Sequence, residues 1–337
     1  MTLKTVPQPH PENIDRGLFC TARNQVELVS EVRDPTSLSA HEVAGPTVTT
    51  LLSPGTELAC LDREFTTRWA MGYAAVFRIA ECGSEVTGLH PGQLVFAMGN
   101  HRSWQRLHQS QVIPLPAGLE PQVAVFARLM SVSWSTLVTT TARPPDPVLV
   151  TGLGPVGNLA AQILRASGYT VSAVDPDAGR RALAKSHGIQ VSDALPSAPA
   201  QGDGGGYSLV VECSGHERAV LDACRAVRKR GEVVLVGVPW MARAPDLTAH
   251  ALLHEVFHRY IVLRSGWEWE VPYEARDFTI GSLRANLAAG MLWLAEGRVN
   301  TTGLGSVHAA ETAPRVYADL IARKAAAPTA IFRWLKD

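Results

Sequence analysis

The sequence carries no net charge: 31 Lys and Arg balance 31 Asp and Glu over 337 residues. Without a basic excess there is no long-range field to recruit nucleic acid or an anionic membrane. Cysteine is sparse and unclustered. Cys20, Cys60, Cys82, Cys213 and Cys224 are odd in number and scattered, which excludes a zinc knuckle or a CxxC redox motif and predicts reduced thiols in a cytoplasmic protein. No apolar run approaches the roughly 18 to 20 residues needed to span a bilayer. The first residues, MTLKTVPQPHPENIDRG, are broken by early prolines and lack the apolar core of a signal peptide. Repeats are missing too. What is present is an ordinary globular balance, 46% hydrophobic and 18% charged, on a chain long enough for two domains.

Those two parts differ in texture. Residues 1 to about 115 hold short β-like runs broken by Pro and Gly: QVELVSEV, HEVAGPTVTTLL, YAAVFRIAECG and QLVFAMG. They predict a strand-and-loop domain, a distorted barrel in outline. From residue 147 strands alternate with helices. VLVTG, PVGNLAAQILRASG, VSAVD, AGRRALAKSHG, SLVVECSG, HERAVLDACRAVRKRG and EVVLVGV follow in order, the pattern of a doubly wound parallel sheet. YIVLRS (260–265) supplies one more strand, 282–296 a long amphipathic helix, and AIFRWL a last strand. QGDGGG (201–206) is a loop inside the α/β region.

The strongest motif sits at the first βα turn. Gly152, Gly154 and Gly157 give G-L-G-P-V-G between VLVT and a helix. The first glycine permits a tight turn and the second lets the backbone approach a pyrophosphate. The third allows close helix–strand packing, with Pro155 and Val156 opening the helix whose N-terminus faces the anion. Eighteen residues past Gly157, at the end of the next strand, stands Asp175. A carboxylate there accepts the adenosine ribose hydroxyls and repels a 2′-phosphate, which favours NAD over NADP. Arg180 and Arg181 follow closely. They either lie along the adenosine or cover a solvated helix turn, and they keep NADP open.

Taken in order, the β-rich start, GLGPVG, Asp175, VVECSG, GEVVLVGV, YIVLRS and a return to the first domain resemble the medium-chain dehydrogenase/reductases over nearly the whole chain. Gly55-Thr56-Glu57-Leu58 is similar to the G-T-D-L that follows the catalytic zinc cysteine of that family, but Pro54 holds the cysteine's place. Met71-Gly72-Tyr73-Ala74 stands where the family has G-H-E, whose histidine is the second ligand, and the third ligand position falls near Leu129. The structural-zinc lobe with its four cysteines is missing. S-P-G-T-E, G-Y-A-A-V and V-F-A-x-G-x-H resemble a zinc-lacking subgroup that includes threonine-dehydrogenase-like and bacteriochlorophyllide dehydrogenase-type proteins. The resemblance implies a GroES-like catalytic domain over 1–130, a Rossmann domain over 131–266 and a return to the catalytic domain over 267–337. It also implies a homodimer, no zinc, and a cofactor site completed by Ser214, Gly215, Val236, Gly237 and Val238 at the carboxyl ends of the strands. Cys213 beside them is a packing residue.

Without a metal, an alcohol needs a general base or a carbonyl an acid. Four residues are candidates. Thr56 resembles the hydroxyl that relays the substrate proton, or it closes its own turn. Glu57 is a base or one half of a structural ion pair. Tyr73, in place of the zinc histidine, bonds the substrate oxygen or packs in a strand. His101, after VFAMG, is an acid or base on an open loop or merely solvated, with Trp104 as a wall of the pocket. Trp267, Trp269 and Tyr273 among acids in RSGWEWEVPYEAR either hold a bulky or polar substrate or pack an interface. The expected activity is a zinc-independent, NAD-dependent exchange between a secondary alcohol and a ketone. The alternatives are an NADPH-dependent enoyl or quinone reductase and a non-catalytic dinucleotide-binding protein.

Overall fold

In the computed structural model the described residues are 14–34, 36–64, 66–195 and 205–335. Contacts divide the chain into two units, one drawn from Met1–Leu115, Glu120–Val125 and Ser306–Asp337, the other from Pro116–Leu119 and Phe126–Gly305.

The first unit is built around the strand Glu42–Leu51. Its second half pairs antiparallel with Thr329–Arg333 and Ala75–Arg78, and its first half with Glu81–Cys82 and Trp104–His108. One strand can serve two sets of partners because its register slips between Thr47 and Thr49, where the ladder gains a residue and the strand bends. Gly45 permits the crossing: a Cβ there would lie 1.8 Å from the Arg78 carbonyl oxygen. Leu94–Ala97, Val112–Pro114 and Gly305–Ala309 complete this sheet. A smaller sheet joins Gln25–Val32, Ile14–Ala22 and Trp69–Ala70. Leu18, Cys20, Leu52, Leu61, Met71, Tyr317 and Phe332 form a shared buried cluster.

The second unit holds a parallel sheet of six strands in the order Gln190–Ser192, Thr170–Val174, Pro147–Thr151, Tyr207–Glu212, Val227–Leu235, Val262–Ser265. Val148, Val150, Leu209 and Val211 enter one core, while Leu149, Val210 and Val233 enter the other. Apolar residues at both parities bury both faces under helices, as an all-parallel sheet requires. The order reverses between Pro147–Thr151 and Tyr207–Glu212, and the carboxyl ends of the strands at such a switch point are where ligands bind. Among the described residues no helix is long and apolar enough to cross a membrane.

Some elements differ from the sequence expectation. HERAVLDACRAVRKRG is helical only over Glu217–Ala226; Val227 opens the strand Val227–Leu235 and is fully buried against Tyr207. Residues 267–305 group with the parallel-sheet unit. The cause is side-chain packing: Trp293 on the helix Leu283–Ala295 lies edge-on to Trp134 at 4.6 Å, and Asn286 donates to Ser135. Most of QGDGGG lies outside the described residues.

Candidate functional site

The glycine turn has the geometry its spacing implies. Gly152 adopts φ +84°, and a Cβ on it would meet the Ser214 amide nitrogen at 2.8 Å. A Cβ on Gly157 would sit 1.8 Å from the Gly152 carbonyl oxygen, so only glycine lets the helix start this close to the strand. Gly154 is different. Nothing lies within 4 Å of a Cβ there, so its bare backbone faces open space as the N-cap of the helix Pro155–Ala166. An anion can approach the free N–H groups of that first turn.

Asp175 is 2% exposed. One carboxylate oxygen accepts the Leu153 amide at 2.7 Å and the other accepts Asp177 at 2.8 Å. The carboxylate is therefore fixed beside the glycine turn before any ligand arrives, and each oxygen keeps a second lone pair. Arg180 stands 3.6 Å from it. Arg181 instead donates to the backbone oxygens of Asp175 and Pro176, clamping the strand end.

Ser214, Gly215, Val236, Gly237 and Val238 form two neighbouring turns, and Glu212 organises them. This residue was missed from sequence, although an acid that ends an apolar strand just before Ser-Gly is a usable signal. Its side chain is fully buried. It accepts the amides of Ser214 at 2.7 Å and Gly215 at 3.0 Å, together with the Ser214 hydroxyl. Burial pushes the Glu212 carboxyl up, against the pull of those donors. Gly237 packs so close that a Cβ would reach 2.2 Å from the Gly215 nitrogen. Desolvation pushes the Cys213 thiol well above its ordinary range, which makes it inert packing.

In the first unit, LSPGTEL forms a helix N-terminus instead of a loop. Pro54 takes the first position of Pro54–Leu61, where a missing N–H costs nothing. Thr56 is half-buried on this turn and Glu57 is fully buried. Glu57 accepts the Ser53 amide at 2.7 Å and the Tyr317 hydroxyl at 2.5 Å. Tyr317, to which no sequence motif points, is completely enclosed; burial first, then Glu57, drives its phenol well above the ordinary range.

His101 does not stand on an open loop. Its side chain is 0% exposed and lies edge-on to Phe332 at 5.2 Å. Its backbone is held on both sides, by Met71 and Leu18. Nε2 comes to 3.2 Å from Glu57, an ion-pair distance without hydrogen-bond alignment, because neither ring nitrogen makes a hydrogen bond. The ring fits there only because Gly72 is bare: a Cβ would strike it at 2.5 Å. Tyr73 lies at a bend before Ala75–Arg78, not within the strand, and is half-buried. It is near enough for its charge to oppose ionisation of Tyr317.

Trp104 lines a cavity of about 330 Å³ together with Asp15, Asn100 and Arg102, and Arg33 stacks 3.6 Å over its ring. In RSGWEWEVPYEAR the acids are engaged structurally: Glu268 pairs with Arg128 in a buried fork, and Glu270 with Arg264. Trp267 and Trp269 remain exposed.

The family model described as zinc-binding dehydrogenase matches residues 155–268. Sorbitol dehydrogenase of Halalkalibacterium halodurans is 30% identical over 148 residues, 42% of this chain and 43% of its own length. Galactitol-1-phosphate dehydrogenase from Escherichia coli superposes with a TM-score of 0.77 at 17% identity, covering 94% of this chain and 99% of that one. L-idonate 5-dehydrogenase from Escherichia coli gives a TM-score of 0.78 at 16% identity over 95% and 98%. Over nearly its whole length the chain has the fold of these dehydrogenase structures, a parallel-sheet α/β unit and a separate β-rich unit. The match spans under half the length of that sorbitol dehydrogenase and 60% of an alcohol dehydrogenase of Rhizobium meliloti, 29% identical.

The match to a family model described as zinc-binding dehydrogenase raises the question of whether the residues fit a catalytic zinc. Such a site needs three protein donors drawn from thiolate, imidazole and carboxylate. Pro54 turns a helix, Tyr73 offers only a phenol, and Leu129 is a buried residue of the helix Ala127–Thr139. Among the described residues no group of three or more His, Cys, Asp or Glu is placed to hold a metal ion. These residues do not fit the zinc of the medium-chain dehydrogenases. The dinucleotide is another matter: the bare edge at Gly154 and the pinned Asp175 fit it.

Proposed function

We propose that the chain is a zinc-independent, NAD-dependent oxidoreductase that interconverts a secondary alcohol and a ketone. The observation that carries this reading is the pinned carboxylate of Asp175 beside the open backbone of Gly154. The dinucleotide supplies the hydride when bound. Gly152, Gly154, Pro155, Val156 and Gly157 seat its pyrophosphate, Asp175 its adenosine ribose, and Ser214, Gly215, Val236, Gly237 and Val238 its nicotinamide half. The similarity to sorbitol, galactitol-1-phosphate and L-idonate dehydrogenases supports a polar, polyhydroxylated small-molecule substrate.

The proton is assigned to the half-buried hydroxyls. Tyr73 and Thr56 meet the substrate oxygen, while the enclosed Glu57, Tyr317 and His101 position them from behind. A placed acid or base contributes about 10²- to 10⁴-fold in rate. Tyr73→Phe is therefore expected to lower kcat at least about tenfold while cofactor affinity changes less than about twofold, as turnover and fluorescence titration would report. Unchanged turnover would move the role to Thr56.

The test of the whole reading is turnover on polyols, sugar alcohols, amino alcohols and enones, with NAD or NADPH, in the presence of a strong chelator. NAD reduction that survives the chelator is expected. Enone-dependent NADPH oxidation would establish the reductase alternative instead. Cofactor binding without turnover would establish a non-catalytic protein. Within that assay Asp175→Ser should narrow the preference for NAD at least about tenfold, since it removes the charge that opposes a 2′-phosphate while Arg180 stays. Equal preference in the parent and the variant would show that Asp175 does not discriminate.

For assembly we infer a homodimer through the edge strand Val262–Ser265. One of its edges pairs with Val227–Leu235, and Tyr260 and Val262 beside it are 66% and 51% exposed. An open strand edge next to exposed apolar side chains is a template for a second copy. Light scattering that finds only monomer at micromolar concentration contradicts this.

A further inference from the structure

The helix Ala249–Arg259 carries a feature that the oxidoreductase reading does not use. Leu252 and Val256, one turn apart, pack against the core under the parallel sheet. The opposite face therefore points away from the sheet, and it presents His250, His254 and His258 at successive turns, all exposed. Residues four apart on a helix stand one above the other. The rings of His254 and His258 are 4.1 Å apart between centroids, tilted by 33°. His258 Nδ1 lies 2.9 Å from the His254 carbonyl oxygen. That bond makes Nδ1 the N–H donor, fixes the tautomer and leaves Nε2 with a free lone pair, the arrangement found behind metal-binding imidazoles.

We propose that His254 and His258 form a surface chelate for a divalent transition-metal ion of the Cu²⁺, Ni²⁺ and Zn²⁺ class. Two neutral imidazoles at i and i+4 can reach one ion at the usual metal–nitrogen distance of about 2 Å, and water completes the coordination shell. His250 is a further turn away, with its ring 6.1 Å from that of His254, so the pair carries the site. The spacing His254-Glu255-Val256-Phe257-His258 also matches the H-E-x-x-H of metal-dependent hydrolases. Hydrolysis does not follow. Glu255 is held by Arg225 at 3.4 Å and Arg259 at 3.9 Å, and the described residues place no third protein ligand beside the pair. The site is one of binding.

The experiment is calorimetric titration of the tag-free, chelator-stripped full chain with nickel chloride, and then with copper and zinc chlorides. Saturable binding of one Ni²⁺ per chain is expected, tighter for Cu²⁺. His254→Ala and His258→Ala should each weaken it at least about tenfold, and His250→Ala less than about twofold. Both altered positions are exposed, and unaltered circular dichroism of the variants confirms the fold. A second readout is selective broadening of the His254 and His258 ring protons by Ni²⁺. No saturable binding by the parent overturns the proposal, and so does equal affinity in the double variant. Dehydrogenase turnover plays no part in either readout.

Discussion

Gly157→Ala is expected to cost the fold at least about 2 kcal/mol, because its new Cβ would lie 1.8 Å from the Gly152 carbonyl oxygen. That oxygen belongs to backbone and cannot swing away as a side-chain end would. Helix and strand must separate, and the proposed pyrophosphate seat goes with them. Gly154→Ala should behave otherwise. Its Cβ meets nothing within 4 Å, so unfolding stability should change by less than about 1 kcal/mol, the ordinary cost of alanine at an N-cap. The methyl group would nevertheless occupy the space through which the bare backbone approaches an anion, and dinucleotide affinity should fall at least about tenfold. Urea unfolding and cofactor titration on both variants make the comparison. If Gly154→Ala binds NAD as well as the parent does, the dinucleotide is not seated on this turn.

The second large effect concerns Glu57. Glu57→Ala removes the acceptor for the Ser53 amide and the Tyr317 hydroxyl and the carboxylate beside His101, all in a buried setting. Stranding buried polar groups and a buried imidazole costs about 3 kcal/mol or more. Glu57→Gln keeps the shape and one acceptor, and should lose about 1 kcal/mol. Denaturant unfolding measures both. Turnover per folded molecule separates structure from chemistry: Glu57→Gln is expected to retain it within about threefold. A loss of a hundredfold at parental stability would instead make Glu57 the general base.

The sequence carried the parallel-sheet unit well because its signals are local. A strand, three glycines, a helix and an acid sit within one βαβ unit, and Gly157 acts on the backbone of Gly152 within the same turn. The same holds for the apolar runs VLVT and SLVVE, whose lack of alternation already implied burial on both faces. Glu212 could have been found by the same means. His254 and His258 were equally visible as a spacing, but spacing does not say which face of a helix is bare, and the packing of Leu252 and Val256 settles that.

The surroundings of LSPGTEL were not legible in this way. Glu57 and Tyr317 are 260 positions apart, and no local pattern announces a hydrogen bond across that distance. His101 looked like a loop histidine because its neighbours are polar. Its burial comes from contacts with Gly72 and Phe332, elements made in other parts of the chain. Residues 267–305 were drawn to the wrong neighbour in sequence for a similar reason: Trp134, Ser135 and Arg128 claim them through side-chain packing. By itself the sequence determined the class of fold and the glycine turn with its acid, both written in residue type and short spacing. Tertiary structure alone decided which titratable groups are enclosed and which can meet a substrate, because desolvation depends on atoms that the chain brings together only when it folds.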